Sequence, residues 1–308
     1  MDKIIEPIPK ETLTQELTSE KRLRLTNKGD NEIYIVDAFN SPNVMREIGR
    51  LREIAFRDAG GGTGKALDID EFDMMETPCR QLIVWNPESQ EIIGGYRFLL
   101  GKEMEFDSTG TPKIATSHMF KFSERFLKEY LPQTLELGRS FVTLEYQNTK
   151  SKPKAIYALD NLWDGLGALT VVYPEIKYLF GKVTMYPSFG EECRDLLLGF
   201  LHKHFPDNEN LVRPIKPLAS KAQSEEIQKV FTGQNFKEDY KILNQLIRQH
   251  GQNIPPLVNA YMSLSPTMRM FGTAINDEFG DVEESGIFFK ISEIFDTKKE
   301  RHIGTYKG

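Results

Sequence analysis

The sequence predicts an α/β fold, of the α+β kind, in which helices flank a mixed central sheet. Apolar runs typical of strands alternate with helical periodicity in the order strand, helix, strand, strand, strand, helix, strand, helix. Hairpins dominate the centre, where only the turn 86–90 separates the strand-like runs 81–85 and 92–100. Because a tight turn joins antiparallel neighbours, we expect a mixed sheet rather than a parallel one.

The N-terminal part of the chain predicts an arm, a strand and a helix. Residues 1–28 are polar and predict an extended arm with a short helix, and residues 33–36 predict the first strand. Ser41 and Pro42 form a helix start, a cap followed by proline at the first helical position. The helix then carries an apolar stripe at helical spacing: Val44, Ile48, Leu51 and Ala55.

A glycine-rich loop follows this helix. Residues 58–64 contain four glycines, which would suit a phosphate-binding cradle. However, no strand immediately precedes the loop, and no Lys-Ser/Thr pair closes it into a helix. A mobile lid or connector is the better prediction.

The remaining elements divide the chain. Further helices are predicted over 120–130, 153–172 and the stretch around Cys193, with strands over 135–142 and 178–185. Residues 206–235 are polar and proline-containing, which indicates an excursion or a lid, and the last seventy residues return to helices and a late strand at 287–291. We therefore predict an N-terminal arm over 1–30, a core over 31–205 and a C-terminal extension over 206–308 that packs on the core.

Composition narrows the function class. The 308 residues, 39% hydrophobic and 27% charged, are enough for a full globular core. A formal net charge of −6 argues against a dedicated nucleic-acid binder, which is usually basic. Cys79 and Cys193 are too few for a disulfide framework or a four-cysteine zinc site, so buried free thiols are expected.

Membrane and metal functions are not expected either. No stretch approaches the roughly 18–20 apolar residues of a membrane span, and the N-terminus has no signal-peptide pattern. We expect a cytoplasmic protein, at most peripheral to the inner face of the membrane. His202 and His204 lie two apart in a predicted helix and so do not share a face, which predicts no metal site.

The strand over 135–142 carries the strongest functional signal. Glu136 and Arg139 interrupt an otherwise apolar run, and buried charges are costly unless they are paired and used. Gly138 lies between them and predicts a bulge or the close approach of another group. A buried ion pair beside a glycine is more typical of an active site than of a core.

Several other charges need an explanation. Three arginines and three carboxylates could neutralise one another in one buried network: Arg52, Asp70, Asp73, Arg97, Glu136 and Arg139. Such a network can brace a sheet or form a site, and residue types alone leave both interpretations open.

These residues also resemble a family signature. The elements Arg52-x-x-x-Phe56, Asp70-x-x-Asp73, Arg97 in a Gly-Tyr-Arg strand and Glu136-x-x-Arg139 match acyl-homoserine-lactone synthases in order and approximate spacing. The chain resembles more closely the hemolysin-like amino-acid N-acyltransferases of ornithine-lipid and glycine-lipid synthesis. In that group the Glu-Leu-Gly-Arg strand occurs with two further motifs, here Tyr178-Leu179-Phe180-Gly181 and Ile254-Pro255-Pro256-Leu257.

The resemblance implies a GNAT-type acyltransferase fold with acyl carrier protein as the donor partner. The implied reaction moves a 3-hydroxylated fatty acyl group to the α-amine of a small amino acid, glycine or ornithine, and makes a lyso-aminolipid. It implies no bound cofactor, because the phosphopantetheine thioester of the carrier protein is a co-substrate.

The sequence differs at two places from related enzymes that would have another function. Lactone synthases hold S-adenosylmethionine with a tryptophan where this chain has Gly60-Gly61-Gly62. The acetyl-CoA branch of the fold has a glycine-rich pyrophosphate loop where residues 147–154 contain no glycine. Lys150, Lys152 and Lys154 in that loop suit one phosphate of a phosphopantetheine arm or an acidic carrier-protein surface, although they also fit an ordinary solvated charge run.

The reaction assigns provisional roles to the site residues. Glu136 is the candidate base that takes a proton from the amine, directly or through water, and a backbone N–H near Gly138 would bind the oxyanion. Arg97 or Arg139 would hold the acceptor's carboxylate. Phe141 is predicted to form a wall of the acyl groove. Four more residues complete the predicted substrate-binding set: Arg52, Phe56, Asp70 and Asp73.

Three alternatives to this function stay open at this point. The chain could be a transferase similar to acyl-homoserine-lactone synthases, or an acetyl-CoA-dependent transferase. It could also be a non-catalytic module that binds acyl chains or carrier protein.

Overall fold

The computed structural model describes residues 1–147 and 153–307. These residues form ten strands: β1 Arg22–Leu25, β2 Glu32–Val36, β3 Arg80–Asn86, β4 Glu91–Leu100, β5 Phe120–Phe122, β6 Thr134–Val142, β7 Tyr178–Met185, β8 Val212–Pro214, β9 Arg269–Asn276 and β10 Val282–Lys290. Eight of them make one sheet in the order β1-β2-β3-β4-β6-β7-β10-β9, and β5 pairs with β8. Only β6 and β7 are parallel neighbours in the described sheet, which confirms the predicted mixed sheet.

Helices cover both faces of this sheet. The described residues form α1 Lys10–Glu16, α2 Pro42–Asp58, α3 Glu71–Met74, α4 Ala158–Val172, α5 Glu191–His204, α6 Glu225–Val230, α7 Phe236–Gln249, α8 Pro256–Met262 and α9 Asp296–His302. On one face, Ile48 of α2 shares a buried cluster with Ile83 and Trp85 of β3. On the other face, α4 and α5 bury their apolar residues against alternate positions of the same strands, such as Leu82. In the part of the chain that the structure describes, no helix is long and apolar enough to cross a membrane.

Helix α2 begins where the sequence predicts, but another residue caps it. The Ser41 side chain makes no capping hydrogen bond. Instead, the Glu16 carboxylate accepts from the backbone N–H groups of Asn43 at 3.1 Å and Val44 at 2.9 Å. A carboxylate at a helix N-terminus also interacts favourably with the helix dipole. The N-terminal arm therefore fixes the start of the helix that brings Arg52 to the site.

The C-terminal region contributes to the central sheet itself. Strand β10 pairs with β7 from Glu283↔Met185 to Lys290↔Tyr178, and β9 pairs with β10 on its outer side. At the other end, β1 within the N-terminal arm extends the sheet next to β2. The domain division at residues 30 and 205 stays a prediction.

The helix predicted over 120–130 is wrong in its first part. Phe120 and Phe122 are buried while Lys121 between them is exposed, and this two-residue period belongs to strand β5. Only residues 124–130 are helical, ending in a π-helical turn over Phe126–Tyr130. Aromatic residues at close spacing fit both periodicities, and pairing with the distant β8 decides between them.

The glycine-rich loop over 58–64 is a connector held by a buried carboxylate. Glu53 accepts from Thr63 N at 3.0 Å, Thr63 Oγ1 at 2.8 Å and Gly64 N at 2.7 Å. Gly61 packs so tightly that an added Cβ would lie 3.1 Å from the Tyr186 ring and 3.3 Å from the Phe279 carbonyl oxygen. The loop thus packs beside the end of the sheet that carries the candidate site.

Candidate active site

The site lies where strands β6 and β7 part. The two strands pair from Thr134↔Tyr178 to Leu137↔Gly181, and beyond this point each stays paired only with its other neighbour, β4 or β10. Gly181 occupies the branch point, where an added Cβ would lie 2.7 Å from the Leu137 carbonyl oxygen. Backbone groups of β6 that face the resulting gap have no strand partner and can bind a ligand.

A bulge in β6 borders the gap. The register runs from Arg97↔Gly138 to Gly95↔Phe141, so β6 has one residue more than β4 across this segment. Arg139 takes up the extra residue with a left-handed φ of 49°. The predicted bulge near Gly138 is confirmed, and it turns the Arg139 side chain to the same face as Arg97.

Two cavities meet at the gap. An apolar cavity of about 270 Å³ lies mainly on the α4 face and is lined by Tyr96, Leu137, Ser140, Trp163, Leu166, Tyr261, Ile287 and Phe289, among others. A polar pocket of about 480 Å³ is lined by Lys65, Asp70, Glu71, His118, Asn276 and Glu278, among others. Arg139, Lys182 and Phe279 line both cavities. We call this shared boundary the waist.

Three aspartates and two arginines form a network beside the waist. Arg97 Nη1 lies 2.6 Å from both oxygens of Asp70 and 3.4 Å from Asp73 Oδ2. Arg139 Nε lies 2.9 Å from Asp68 Oδ2, and its Nη2 lies 3.5 Å from Asp70 Oδ2. The structure therefore brings the predicted charges together and adds Asp68, whose place in the acidic run 68–73 is its only sequence signal.

Asp70 is fixed by α3 as well as by the arginines. Its side chain accepts from Phe72 N at 3.0 Å and Asp73 N at 3.2 Å, while the Asp73 carboxylate accepts from Asp70 N at 3.3 Å. This reciprocal arrangement is a capping box with aspartate in both positions. Burial opposes ionisation, but the charge and hydrogen bonds of Arg97 and the charges of Arg139 and Arg52 together outweigh it and lower the pKa of Asp70 to about 2.

Arg52 joins the network from α2. Its Nη1 lies 3.5 Å from Asp73 Oδ2 and its Nη2 donates to Gln81 Oε1, while Gln81 Nε2 donates to Asp73 Oδ1 at 2.9 Å. All three side chains are sealed from solvent, and burial lowers the pKa of Arg52. Gln81 was not distinguishable in the sequence, since a single polar residue at a strand start is common.

Glu136 is not paired with Arg139, which corrects the predicted ion pair. Within the described residues, no ion pair or hydrogen bond joins the Glu136 side chain to another residue, because the bulge directs Arg139 to Asp68 and Asp70. Glu136 is 3% exposed and lies opposite Phe180, next to the branch point. Burial raises its pKa, against the opposing charges of Arg97 and Lys182.

Lys182 and Glu284 are site residues that the sequence analysis missed. Lys182 follows Gly181 on β7, and its ammonium makes a close ion pair with Glu284 of β10. Glu284 also accepts from Thr184 Oγ1 at 3.2 Å and from Asn276 Nδ2 at 3.3 Å. Lys182 is a charge in an otherwise apolar strand, the signal that identified Arg97, whereas Glu284 lies in a strand that also contains Glu283 and Ser285.

The other predicted site residues fall into different places. Phe56 lines the apolar cavity, and its ring packs edge-on against Phe279 with centroids 5.1 Å apart. Phe141 lines neither cavity and packs in the core under α2. The substrate-binding roles of Arg52, Asp73 and Arg97, which also line neither cavity, stay predictions.

The lysine cluster cannot be placed. Lys150 and Lys152 lie outside the described residues, and the side chain of Lys154 does as well. Elsewhere, Cys79 and Cys193 are buried free thiols, as predicted. The described residues contain no group of three His, Cys, Asp or Glu side chains that could hold a metal ion.

Comparisons with known proteins identify the family. A glycine N(alpha)-acyltransferase of Bacteroides thetaiotaomicron is 65% identical over 306 residues, which cover 99% of this chain and 91% of that protein. One of Phocaeicola vulgatus is 63% identical over 99% of this chain and 94% of its own length. The chain belongs to this N-acyltransferase family.

Two further comparisons found similarities. Residues 51–154 of the N-acyltransferase match the acetyltransferase (GNAT) domain model, and the mixed sheet flanked by helices is the predicted GNAT-like fold. A solved CoA-dependent acyl-homoserine lactone synthase, in complex with SAM and isopentyl-CoA, aligns over 90% of this chain and 91% of its own at 11% identity and a TM-score of 0.40.

The acyltransferase has a cluster of hydroxyls in its apolar cavity. The Tyr96 hydroxyl is fully buried and lies beside the hydroxyls of Ser140 and Tyr261. Burial raises the pKa of Tyr96, so the hydroxyl stays neutral and can donate. The three hydroxyls form a polar spot in the wall of the cavity, and a hydroxyl on a ligand can hydrogen-bond to it.

Proposed function

We propose that the chain transfers a 3-hydroxylated fatty acyl group from the phosphopantetheine thioester of acyl carrier protein to the α-amine of glycine. The product is an N-acylglycine, a lyso-aminolipid. The observation that carries the proposal is the gap between β6 and β7, which joins an apolar cavity to a polar pocket. The names of the two relatives favour glycine over ornithine as the acceptor.

The cavities divide the substrates between the two faces of the sheet. The acyl chain would occupy the apolar cavity, and its transfer from water would supply binding energy in proportion to the apolar surface removed. The amino acid would enter the polar pocket, and the thioester carbonyl would lie in the gap between them. A free backbone N–H of β6 beyond Leu137 would then donate to the oxyanion.

Glu136 is the proposed base. A carboxylate with a raised pKa accepts a proton more readily than an ordinary one, and no cation within hydrogen-bonding distance holds Glu136 ionised in the described site. Because Glu136 lines neither cavity, the proton would move through a water molecule.

The reaction then balances without a covalent enzyme intermediate. The glycine ammonium loses one proton to Glu136, and the free amine attacks the thioester carbon as the carbonyl electrons move onto oxygen. Collapse of this intermediate breaks the C–S bond. The nitrogen loses its second proton to the leaving thiolate, which gives the amide and the free phosphopantetheine thiol.

The buried Tyr96 hydroxyl supports the 3-hydroxylated acyl group. It lies in the wall of the apolar cavity beside Ser140, close to the bulge of β6 where the acyl chain would start. A hydroxyl two carbons from the thioester carbonyl would hydrogen-bond to it.

One experiment tests donor and acceptor together. The purified protein is incubated with 3-hydroxyacyl carrier protein, the unhydroxylated carrier protein or the matching acyl-CoA, each with glycine, ornithine or serine. We expect N-acylglycine by mass spectrometry and the highest rate with the 3-hydroxyacyl carrier protein. Absence of N-acyl product with every donor and acceptor would overturn the proposal, and faster turnover of acyl-CoA would overturn the choice of donor.

A further inference from the structure

Lys182 lies buried at the waist with unused hydrogen-bond donors. It is the first residue of β7 beyond the branch point, its side chain is 8% exposed, and it lines both cavities. An ammonium has three N–H donors, and Glu284 is its one ion-pair partner in the described structure. Apart from this contact, its nitrogen has no hydrogen-bond partner among the described residues. At least two donors are therefore buried without a partner, which is unfavourable unless a ligand meets them.

Arg139 lies on the opposite rim of the same gap. Its guanidinium has five N–H donors, and its hydrogen bonds to Asp68 and Asp70 use the Nε and Nη2 atoms. The face of the guanidinium lies 4.4 Å from the centre of the Phe279 ring, which fixes its plane. Arg139 and Lys182 thus present two cations across one gap, and their mutual repulsion is relieved when an anion lies between them.

We propose that Arg139 and Lys182 together bind the carboxylate of the acceptor amino acid at the waist. This inference rests on the proposed acyl transfer to an amino acid. A carboxylate accepts up to about four hydrogen bonds and can meet both cations at once. The amine of an α-amino acid is one carbon away, so a carboxylate held at the waist places the amine at the gap. The acceptor class is therefore α-amino acids with a free carboxylate.

Glu284 keeps Lys182 in place for this role. Burial lowers the pKa of Lys182, and the charge of Glu284 opposes that shift. Thr184 and Asn276 hold the Glu284 carboxylate through the two hydrogen bonds described above. Glu284 is a positioning residue that acts through Lys182.

The test compares two acceptors that differ only in the carboxylate. Glycine and glycinamide are assayed with the wild-type protein and with Lys182→Met. We expect the variant to raise the KM for glycine about 10- to 100-fold, the range for a lost charge-assisted hydrogen bond, and to change the KM for glycinamide little. Comparing the glycine-to-glycinamide ratio between the two proteins cancels the different basicity of the two amines. Lys177→Met, an exposed lysine just before β7, is the matched control and should keep the wild-type ratio.

A double variant separates acceptor binding from simple neutralisation of Glu284. Lys182→Met leaves a buried carboxylate without its partner and could impair folding, whereas Lys182→Met with Glu284→Gln removes both charges. If Lys182 binds the acceptor, the double variant still discriminates poorly between glycine and glycinamide. Restoration of the wild-type ratio in the double variant would overturn the inference.

The outcome can be distinguished from failure of the proposed function. If the wild-type protein forms no N-acyl product, the proposed function fails. If it acylates glycine and the single variant loses glycine and glycinamide activity in equal proportion, only the assignment of the carboxylate site fails.

Discussion

Two groups of buried polar and charged side chains lie side by side on one face of the sheet, and they differ in whether they line a cavity. The bracing group consists of the charges Arg52, Asp73 and Arg97 with the amide of Gln81; its members bond to one another and to Asp70, and they line neither cavity. The gap group, Glu136, Arg139, Lys182 and Glu284, surrounds the parting strands, and three of its members line a cavity.

The difference teaches that burial and charge do not by themselves indicate function. Arg97 is 2% exposed and Glu136 is 3% exposed, so exposure does not separate the two groups. Arg97 has carboxylate partners within 3.4 Å, whereas Glu136 has no ion-pair partner in the described site. A charge that is left unpaired beside a cavity is the better indicator of chemistry.

The largest expected effect is on turnover, from Glu136→Gln in the gap group. Loss of a general base lowers kcat by about 10²- to 10⁴-fold. Because burial raises the Glu136 pKa, this group adds stability below its unfolded pKa and loses it as the pH rises through the folded pKa. At pH 7 the neutral variant should therefore be at least as stable as wild type in chemical denaturation.

The control for this variant is Glu145→Gln, which changes an exposed glutamate shortly after β6. It should keep wild-type kcat. The acid limb of kcat/KM that reports Glu136 should lie above the ordinary glutamate pKa and disappear in Glu136→Gln. An unchanged kcat and an unchanged acid limb would exclude Glu136 as the base.

Arg97→Met in the bracing group should act on stability instead. It leaves Asp70 and Asp73 without their shared cation, and breaking a buried pair typically costs about 3–5 kcal/mol. Urea denaturation measures the loss, with the exposed Arg125→Met as a control that should cost at most about 1 kcal/mol. A stable variant with a raised KM for glycine would instead support the substrate-binding role that the sequence predicts for Arg97.

Tyr96→Phe tests how the apolar side of the gap recognises the acyl group. Losing one hydrogen bond to the 3-hydroxyl, about 1 kcal/mol, should lower the preference for hydroxylated over unhydroxylated acyl donors about fivefold. Competition between the two donors, read by mass spectrometry, gives this ratio directly. Tyr34→Phe, whose hydroxyl donates to Glu32 at 2.8 Å away from the cavity, should leave the ratio unchanged.

A last effect, on stability at low pH, concerns Asp70, which links the two groups. Its pKa of about 2, below the ordinary aspartate value of 3.8, means that its stabilising contribution is present above pH 3.8 and is lost as the pH falls toward 2. The difference corresponds to about 2 kcal/mol. Urea denaturation at pH 4 and near pH 2 should show a steeper loss for wild type than for Asp70→Asn, and parallel losses would contradict the low pKa.

Local patterns predicted much of the fold and part of the site. Periodicity was sufficient for the mixed sheet and for strand β6, and the glycine between Glu136 and Arg139 was sufficient for the bulge. The direction of the Arg139 side chain was not predictable, because a single extra residue in a strand reverses which face its neighbours occupy. Spacing therefore suggested a pair that the bulge separates.

Lys182 and Glu284 were missed for a different reason. They are about one hundred residues apart, and only the register of β7 with β10 brings them together. Register between distant strands depends on the packing of the whole sheet and is not contained in either segment. Phe141 is the opposite case, a residue that was predicted for the site but packs in the core. An apolar residue near a site residue in the sequence more often belongs to the core than to the binding site.

The late position of β10 has a consequence for how the protein becomes active. Glu284 reaches Lys182 only after a strand near the end of the chain has paired with β7, and pairing over such sequence separation is slow. A chain that stops before residue 282 would contain Glu136 and Arg139 but no partner for Lys182. The site is thus completed last, because β10 supplies Glu284 to the waist and also Ile287 and Phe289 to the wall of the apolar cavity.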